Sequence, residues 1–339
     1  MRMDQIRDEP SLEAALSQPS EATRKALGNL DGDIAVLGAA GKMGPTLAML
    51  IKKAAPGKTV WAVSRFSDGA VRDRLEQAGV RTMTADLLDR AVYEDLPRVS
   101  NIYYLVGMKF GASGNQGLTW AMNTYVPALV CERYAGARIA AFSTGNVYPL
   151  VSVTSGGADE RTPPGPIGEY AQSCLGRERV FQYFSDKDRT AAVLVRLFYA
   201  NEPRYGIVVD LADKILGGQP IDVTTGFVNL IWQGDANDYI ARSIVLADSP
   251  PAVLNVAGPE TVSVRYLAEQ VGRVLGKEPV FVGEEAPTAL LGNAAQCFEA
   301  FGYPRVSMLE MVRTITAWVA AGGKRLNKPT KFQVRDGKF

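Results

Sequence analysis

The sequence of 339 residues contains no histidine and only three cysteines. Without histidine, a Ser-His-Asp triad, a Cys-His pair, a histidine-ligated zinc and a histidine general base are all excluded. The cysteines, Cys131, Cys174 and Cys297, lie far apart and lack metal-ligand spacing. An odd and sparse set of cysteines is typical of a reducing cytoplasm rather than of a disulfide scaffold. We therefore expect a cytoplasmic protein with no metal site.

Long apolar runs and an excess of charge of one sign are also missing. No stretch approaches the roughly 20 apolar residues that a transmembrane helix needs, and the sequence stays polar up to Leu30, unlike a signal peptide. The 37 Lys and Arg residues nearly balance the 36 Asp and Glu residues, for a formal net charge of +1. This composition gives no indication of a nucleic-acid or membrane partner. We expect a small molecule as the main partner.

Short apolar runs alternate with amphipathic segments over most of the first two hundred residues. Strands are predicted at residues 33–38, 59–64, 80–85, 101–106, 137–143 and 191–197, with helices between them. This alternation predicts an α/β fold with a doubly wound parallel sheet at residues 31–200. Residues 1–30 are predicted to form a helical extension, residues 201–330 a smaller mixed cap and residues 331–339 a tail. The prediction leaves room for a strand or helix of the cap to return to the sheet.

A glycine-rich turn, Gly38-Ala39-Ala40-Gly41-Lys42-Met43-Gly44, follows the first predicted strand and opens a helix. The first glycine permits a tight turn, the second lets the backbone approach a pyrophosphate, and the third allows close packing of helix on strand. The helix N-terminus adds amides and a positive dipole end. In this context the motif predicts a Rossmann dinucleotide-binding domain. The predicted cofactor-binding residues of the turn are Gly38, Gly41, Lys42, Met43 and Gly44.

The ends of the second and third predicted strands bear on the choice of dinucleotide. Ser64 and Arg65 suit a 2′-phosphate better than the acidic residue that usually meets an unphosphorylated ribose. This favours NADP over NAD, although Asp68, three residues beyond Arg65, keeps NAD open. Asp86 and Leu87 follow the third strand, where an adenine ring would be clamped, and a helix N-cap is the alternative role for Asp86.

Several later motifs stand in the order and spacing of one known family. They are Tyr104-Leu105-Val106-Gly107, Asn123, Phe142-Ser143-Thr144-Gly145-Asn146-Val147-Tyr148, Glu169-Tyr170 and Arg196-Leu197-Phe198. With the glycine turn, they make residues 33–283 resemble the extended short-chain dehydrogenase/reductases, which include nucleotide-sugar epimerases and dehydratases. The resemblance implies an NAD(P)-dependent epimerase or dehydrogenase. It also implies a homodimer formed through the helices of Asn115–Tyr134 and Tyr170–Ser185. The residues that it implies on the cofactor are Val106, Gly107, Asn123, Tyr170 and Phe198.

The resemblance assigns the chemistry to two hydroxyl groups. In the family, a Ser or Thr at the position of Thr144 binds the substrate oxygen. A tyrosine at the position of Tyr170 exchanges the hydroxyl proton while hydride moves to or from the nicotinamide. The family's lysine, four residues after the tyrosine, is replaced here by Cys174, for which we expect a small buried side chain.

The missing lysine has a consequence for Tyr170, because an ordinary tyrosine pKa of about 10 leaves the phenolate scarce at neutral pH. Lys109, just past the fourth strand, is a candidate replacement. An ammonium about 4 Å from the phenol would bring the pKa of Tyr170 to about 7. Arg177 shares the helix face of Tyr170 through its i+7 spacing, but for it we expect a solvent-facing helix charge. The predicted catalytic residues are therefore Thr144, Tyr170 and Lys109.

Two further departures from the family bear on the substrate. Gly145-Asn146 replaces the Asp-Glu pair of sugar dehydratases, which argues against dehydration. Tyr199 replaces an asparagine that helps nucleotide-sugar enzymes to hold the diphosphate. Predicted substrate-side residues are Ser143, Asn146, Tyr199, Asn201, Arg204, Tyr205, Trp232 and Gln233, with domain-interface packing as the alternative role.

The function predicted from these motifs is that of an NAD(P)-dependent oxidoreductase or epimerase. It would act on a hydroxyl or keto carbon of a sugar-like or polyol-like small molecule. The alternative is a catalytically impaired dinucleotide sensor or scaffold of the same fold. Thr144 and Tyr170 favour the enzyme, whereas Cys174 favours the sensor.

Overall fold

The computed structural model describes residues 3–109 and 114–338 of the chain. The strands are β1 (Ile34–Leu37), β2 (Val60–Ser64), β3 (Arg81–Thr84), β4 (Asn101–Tyr104), β5 (Arg138–Thr144), β6 (Val151–Ser152), β7 (Ala191–Leu197), β8 (Ala200–Asn201), β9 (Ile221–Asp222), β10 (Phe227–Val228), β11 (Ile231–Trp232), β12 (Ala252–Val256), β13 (Val262–Ser263), β14 (Phe281–Val282) and β15 (Thr288–Ala289). The helices are α1 (Glu9–Leu16), α2 (Glu21–Gly28), α3 (Gly44–Ala54), α4 (Gly69–Gln77), α5 (Gln116–Trp120), α6 (Val126–Arg133), α7 (Gly168–Asp188), α8 (Ile207–Leu216), α9 (Gln233–Ser243), α10 (Val264–Leu275), α11 (Ala295–Phe301) and α12 (Met308–Ala320). A π-helical turn, Ala121–Tyr125, joins α5 to α6.

Seven parallel strands form the central sheet, in the order β12-β7-β5-β4-β1-β2-β3. Every residue of β1 is buried, as expected for a strand that helices cover on both faces. The chain runs outward from β1 to β2 and β3 and then returns to β4 on the other side of β1. The predicted doubly wound parallel sheet is therefore confirmed, with its change of direction between β1 and β4. In such folds ligands bind at this point, outside the carboxyl ends of the strands.

Two elements of the predicted cap belong to the sheet layer. β12 pairs with β7 along its whole length, and Leu254 and Val256 are buried in the sheet core. α9 packs against α3 and buries Ala236 and Ile240 in the same core. The short apolar run Val253–Val256 thus forms the edge strand of the sheet rather than a strand of the cap. The Rossmann unit continues past residue 200 to include both elements.

The cap is built on α8, α10 and α12, whose apolar faces meet in a second core. The N-terminal extension contacts both cores, because Leu12 and Leu16 of α1 lie in the cap core and Leu27 of α2 lies in the sheet core. The C-terminal segment (residues 324–338) also enters the cap core, through Phe332, which is only 2% exposed. No helix in the described ranges is long and apolar enough to cross a membrane.

Candidate active site at the carboxyl edge of the sheet

A cavity of about 360 Å³ opens at the carboxyl ends of β1, β4, β5 and β7. We call it the central cavity. Its walls are the glycine turn, the residues after β4, the end of β5, the start of α7, the residues after β7 and two residues of the C-terminal segment. It therefore lies at the change of strand direction, where this fold class binds its ligands.

The geometry of the glycine turn fits a bound pyrophosphate. Gly38 has a φ of +83°, which favours glycine, and a Cβ at Gly44 would come within 2.4 Å of the Ala39 carbonyl oxygen. At Gly41 a Cβ would meet one atom of the described residues within 4 Å, the Gly38 oxygen at 3.3 Å, so the backbone is open to approach. α3 begins at Gly44 and has Pro45 in its first turn. Its N-cap residue, Met43, makes no side-chain hydrogen bond to the helix, so the first amides remain accessible to a ligand.

A second cavity of about 240 Å³, the adenosine-end cavity, continues from Gly38 and Gly41 toward β2 and β3. It brings together residues that the sequence predicts on the cofactor: Ser64, Arg65, Asp86, Leu87, Val106 and Gly107. Arg65 is exposed at its rim. The arrangement gives an elongated dinucleotide one continuous path from the central cavity to the end of β2.

Two carboxylates beside the adenosine-end cavity have local roles. Asp68 is the N-cap of α4 and accepts a hydrogen bond from the Ala70 amide at 3.0 Å. Asp86 accepts one from the Leu88 amide at 3.1 Å. The N-cap of the 3-10 turn that follows is Asp89, not Asp86. Asp68, the acidic residue that made NAD an alternative to NADP in the sequence, therefore caps a helix.

The predicted catalytic pair meets at the floor of the central cavity. Tyr170 lies in the first turn of α7, and Thr144 is the last residue of β5. Both residues line the central cavity, and both Thr144 and Cys174 act on the phenol: Thr144 lowers the pKa of Tyr170 and Cys174 raises it. Asn146 donates to the Thr144 hydroxyl through its backbone and side-chain nitrogens, both at 3.2 Å. These bonds fix the threonine at the point where β5 ends.

One face of α7 is buried, because Tyr170, Cys174, Arg177 and Glu178 repeat at helical spacing. Cys174 and Glu178 are completely buried, and the small buried side chain predicted for Cys174 is confirmed. Glu178 accepts two hydrogen bonds from Arg196 of β7, at 2.9 and 2.7 Å. This ion pair fixes the register of α7 on the sheet and so the position of Tyr170.

Arg177 is not the solvent-facing charge expected from the sequence. It is 6% exposed, lines the central cavity, and donates to the Phe142 carbonyl oxygen at 2.9 Å and to the Asn123 side chain. That expectation is wrong because the loop after β4 and the end of β5 cover this side of α7. Arg177 therefore adds a buried positive charge beside Tyr170.

Lys109 also lines the central cavity, with its amine 6.0 Å from the centre of the Tyr170 ring. Burial lowers the pKa of Lys109 to about 8. Burial also raises the pKa of Tyr170 well above its usual value, Cys174 adds to this rise, and Arg177 opposes it. The pKa of Tyr170 is therefore raised rather than lowered to about 7, contrary to the prediction, since desolvation of the phenol outweighs the charge of Arg177.

Asn123 is buried behind the wall of the central cavity. The π-helical turn directs its side chain toward the loop after β4, where its oxygen accepts from the Met108 amide at 3.0 Å and from Arg177. Its nitrogen donates to Ser173 at 2.9 Å. These partners hold its amide, and Asn123 lines neither cavity. The predicted direct contact of Asn123 with the cofactor is therefore wrong, and the residue instead supports the loop after β4 and Arg177.

The predicted substrate residues fall into two groups. Ser143, Asn146, Tyr199, Asn201 and Tyr205 line the central cavity, as does the predicted cofactor residue Phe198. The Ser143 hydroxyl donates to Glu178 at 2.6 Å, and the Asn201 amide donates to the Tyr199 carbonyl oxygen at 2.7 Å. These two polar side chains are thus held by the protein itself.

Arg204, Trp232 and Gln233 lie outside the central cavity. Arg204 is 8% exposed and pairs with Glu202 and with Glu9 and Glu13 of the N-terminal extension. Trp232 is 3% exposed in the cap core. The completely buried Gln233 approaches Thr46 at 3.5 Å. Their predicted place at the substrate is wrong because cap packing turns these side chains into the protein.

Two cations of the central cavity were not predicted there as substrate-side groups. Lys42 extends from the glycine turn across the cavity, donates to the Ala200 carbonyl oxygen of β8 at 2.9 Å, and lies 3.8 Å from the centre of the Tyr205 ring. Lys328 lines the cavity from the C-terminal segment, together with Thr330. No periodicity or motif marks Lys328 in the sequence. Among the described residues, no group of three or more Cys, Asp or Glu side chains could hold a metal ion.

A comparison with known families agrees with the site. Residues 34–257 match the NAD dependent epimerase/dehydratase family. The match includes the glycine turn, both members of the catalytic pair and β12. The chain belongs to this family, whose cofactor is a nicotinamide dinucleotide.

Solved structures share the fold at low sequence identity. UDP-glucuronic acid 4-epimerase from Bacillus cereus, in complex with NAD, has a TM-score of 0.74 and 18% identity, covering 86% of this chain and 100% of its own. UDP-glucose 4-epimerase from Thermotoga maritima, with UDP-glucose, gives 0.71 and 18%, covering 86% and 99%. MoeE5, in complex with UDP-glucose and NAD, gives 0.70 and 20%, with the same coverage. No curated protein sequence matches the chain.

Proposed function

We propose that the chain is an NAD(P)-dependent oxidoreductase or epimerase that acts on a hydroxyl or keto carbon of a sugar-like or polyol-like small molecule. The observation that carries this proposal is that Thr144 and Tyr170 line the central cavity together, next to the glycine turn. These are the two hydroxyl groups that the resemblance assigns to the chemistry. Asn146 in place of an acidic residue keeps dehydration disfavoured.

The cofactor would lie from the central cavity to the adenosine-end cavity, with its pyrophosphate at Gly41 and the N-terminus of α3. When bound, a nicotinamide dinucleotide accepts and donates hydride. The finer proposal is a preference for NADP, supported by Arg65 at the rim of the adenosine-end cavity and by the engagement of Asp68 in helix capping.

Tyr170 is proposed to hold the transferred proton and Thr144 to orient the substrate oxygen. Because burial raises the pKa of Tyr170, its phenol carries the proton at neutral pH and can donate it to a carbonyl oxygen. Removing a hydroxyl proton needs the phenolate instead, which nearby positive charge favours. Lys109 and Arg177 are proposed to supply that charge in place of the family's lysine.

A homodimer through α5, α6 and α7 also remains a proposal. This region exposes apolar and aromatic side chains: Leu118 of α5 is 37% exposed, Tyr125 of the π-helical turn 45% and Tyr183 of α7 60%. Aromatic side chains of this kind are enriched at protein interfaces. Sedimentation of the purified protein measures the assembly directly.

A second candidate function is a dinucleotide sensor or scaffold without redox activity. The observation that favours it is Cys174, which stands where the family has its lysine and adds to the rise in the Tyr170 pKa. In this case the fold would keep the cofactor site without a working proton donor and acceptor.

The absorbance of protein-bound cofactor near the reduced-nicotinamide band separates the two candidates. Protein saturated with NAD or NADP, in oxidised or reduced form, is mixed with a panel of sugars, uronates, polyols and their keto forms. We expect at least one compound to change the absorbance. Cofactor that binds tightly but keeps its absorbance with every compound would favour the sensor.

A further inference from the structure

The wall of the central cavity carries positively charged side chains and, among the described residues, no carboxylate. Lys42, Lys109, Arg177 and Lys328 all lie in its wall, and none of its described lining residues is Asp or Glu. A cavity lined by one sign of charge attracts ligands of the opposite sign, because charges act strongly where water is scarce.

Two of these cations, Arg177 and Lys109, lie beside Tyr170 and are assigned to it under the proposed function. Arg177 is bonded to Phe142 and Asn123, and Lys109 lies beside the Tyr170 ring. The pyrophosphate of the cofactor belongs at the backbone of the glycine turn, where Gly41 faces open space. The other two cations, Lys42 and Lys328, have their side chains on the side of the cavity that the cap and the C-terminal segment form.

Lys42 has hydrogen-bonding capacity to spare. An ammonium has three donors, and among the described residues Ala200 provides its one acceptor. The Tyr205 ring lies beside the amine, and within the described ranges of the chain no carboxylate forms an ion pair with it. The nearby Glu202 is paired with Arg204 instead, at 3.1 Å. The amine thus stands in the cavity with only a neutral acceptor.

Lys328 is held at the cavity by the residues that follow it. The amide and hydroxyl of Thr330 both donate to Asp210 of α8, at 2.9 and 2.6 Å. Phe332 is buried in the cap core, and Arg335 donates twice to Thr288, both at 2.7 Å. The C-terminal segment is therefore anchored along its length and brings Lys328 to the cavity wall as a fixed part of the fold.

We propose that the substrate carries an anionic group, a carboxylate or a phosphate, and that Lys42 and Lys328 bind it. This inference rests on the proposed function and adds to it the class of substrate: an acidic sugar, a sugar phosphate or a similar small hydroxy or keto anion. A lysine binds either group as a point charge. Lys42 then discriminates between substrates from within the turn that holds the cofactor.

Titration calorimetry on protein saturated with NAD(P) tests this proposal. The probes are D-glucuronate, D-glucose 6-phosphate and, as the neutral counterpart, D-glucose. We expect at least one anion to bind tenfold or more tightly than glucose, since charge-assisted contacts are worth about that much. Lys42→Met should remove most of this preference and leave the affinity for glucose unchanged.

The matched control is Lys25→Met, which removes the same charge from the exposed face of α2. It should behave as the unmodified protein. Lys328→Met should weaken anion binding as well, and it replaces Lys42→Met if that variant does not fold.

Equal or weaker binding of both anions relative to glucose would overturn the proposal, and so would a loss of NAD(P) affinity in Lys42→Met with anion binding intact. The cofactor absorbance separates this failure from failure of the proposed function. Anion preference without any absorbance change leaves the anion site standing and removes the redox function. An absorbance change with neutral sugars alone supports the redox function and removes the anion site.

Discussion

The two sides of the central cavity are built in different ways. The cofactor side comes from one contiguous turn, Gly38–Gly44, and from the ends of neighbouring parallel strands. The substrate side gathers residues far apart in sequence, from Lys109 through Tyr170 to Lys328, and the side chain of Lys42 reaches across to it from the turn. The first depends on backbone geometry, whereas the second depends on charged and hydroxyl side chains. The comparison teaches that the cofactor site follows local sequence rules and that the substrate site depends on tertiary packing.

The largest expected effect is on the substrate side. Tyr170→Phe removes the proposed proton donor, and we expect turnover to fall by about 10²–10⁴-fold, the usual contribution of general acid–base catalysis. The matched control is Tyr183→Phe, on the same helix but 60% exposed. Steady-state kinetics that show equal turnover for the two variants would remove Tyr170 from the mechanism.

A second substitution tests the cofactor side of the cavity by itself. Gly41→Val should project a side chain into the cavity without disturbing the fold, because only the Gly38 oxygen lies near. We expect cofactor affinity to fall by about 100-fold or more, since the backbone can no longer approach the pyrophosphate. Gly57→Val, at a turn with open space around it, is the control. Unchanged calorimetric affinity in folded Gly41→Val would move the dinucleotide away from this turn.

A smaller effect is expected at the end of β2. Arg65→Ala should weaken NADP binding by about 10- to 100-fold and NAD binding little, because a charge-assisted contact to phosphate is worth roughly 1.5–3 kcal/mol. Calorimetry with both cofactors measures the difference. Equal losses for NAD and NADP would show that Arg65 does not recognise a 2′-phosphate.

The smallest effect is one of pH. Burial lowers the pKa of Lys42 to about 7, Glu202 opposes this, and the charges of Lys109 and Arg204 add to it. Below this pKa the ammonium is charged and attracts an anion; above it the amine is neutral. We expect the affinity for the anionic probe to fall by up to about tenfold per pH unit above 7. A flat profile in calorimetry between pH 6 and pH 8, against a flat glucose control, would mean that Lys42 carries no such role.

The sequence predicts the cofactor side well because its signals are local. The strand, the three glycines and the helix follow one another within residues 34–54, and β1 and α3 form there as expected. The same local logic does not decide the place of β12, because the sequence leaves open whether a strand of residues 201–330 stays in the cap or returns to the sheet. Whether a short apolar run pairs with β7 or with a cap strand depends on the surrounding fold, not on the run itself.

The substrate side could be predicted only in part, for a physical reason. Thr144 and Tyr170 follow a family pattern and meet in the cavity. Arg204 follows β8 and Trp232 ends β11, but the direction of their side chains depends on cap packing. Arg177 was expected in solvent because most helix charges lie there. Lys328 belongs to a segment without periodicity, so only the fold reveals its position.

The central claim is that cations from outside the first turn of α7 replace the missing lysine beside Tyr170. The most direct measurement is the pH dependence of turnover in Lys109→Met, with Lys25→Met as control. Loss of the Lys109 charge should make the phenolate harder to form and move the pH at which turnover rises upward by about one unit, with lower turnover at neutral pH. A profile identical to that of the unmodified protein would contradict this role of Lys109 and leave Arg177 as the supporting cation.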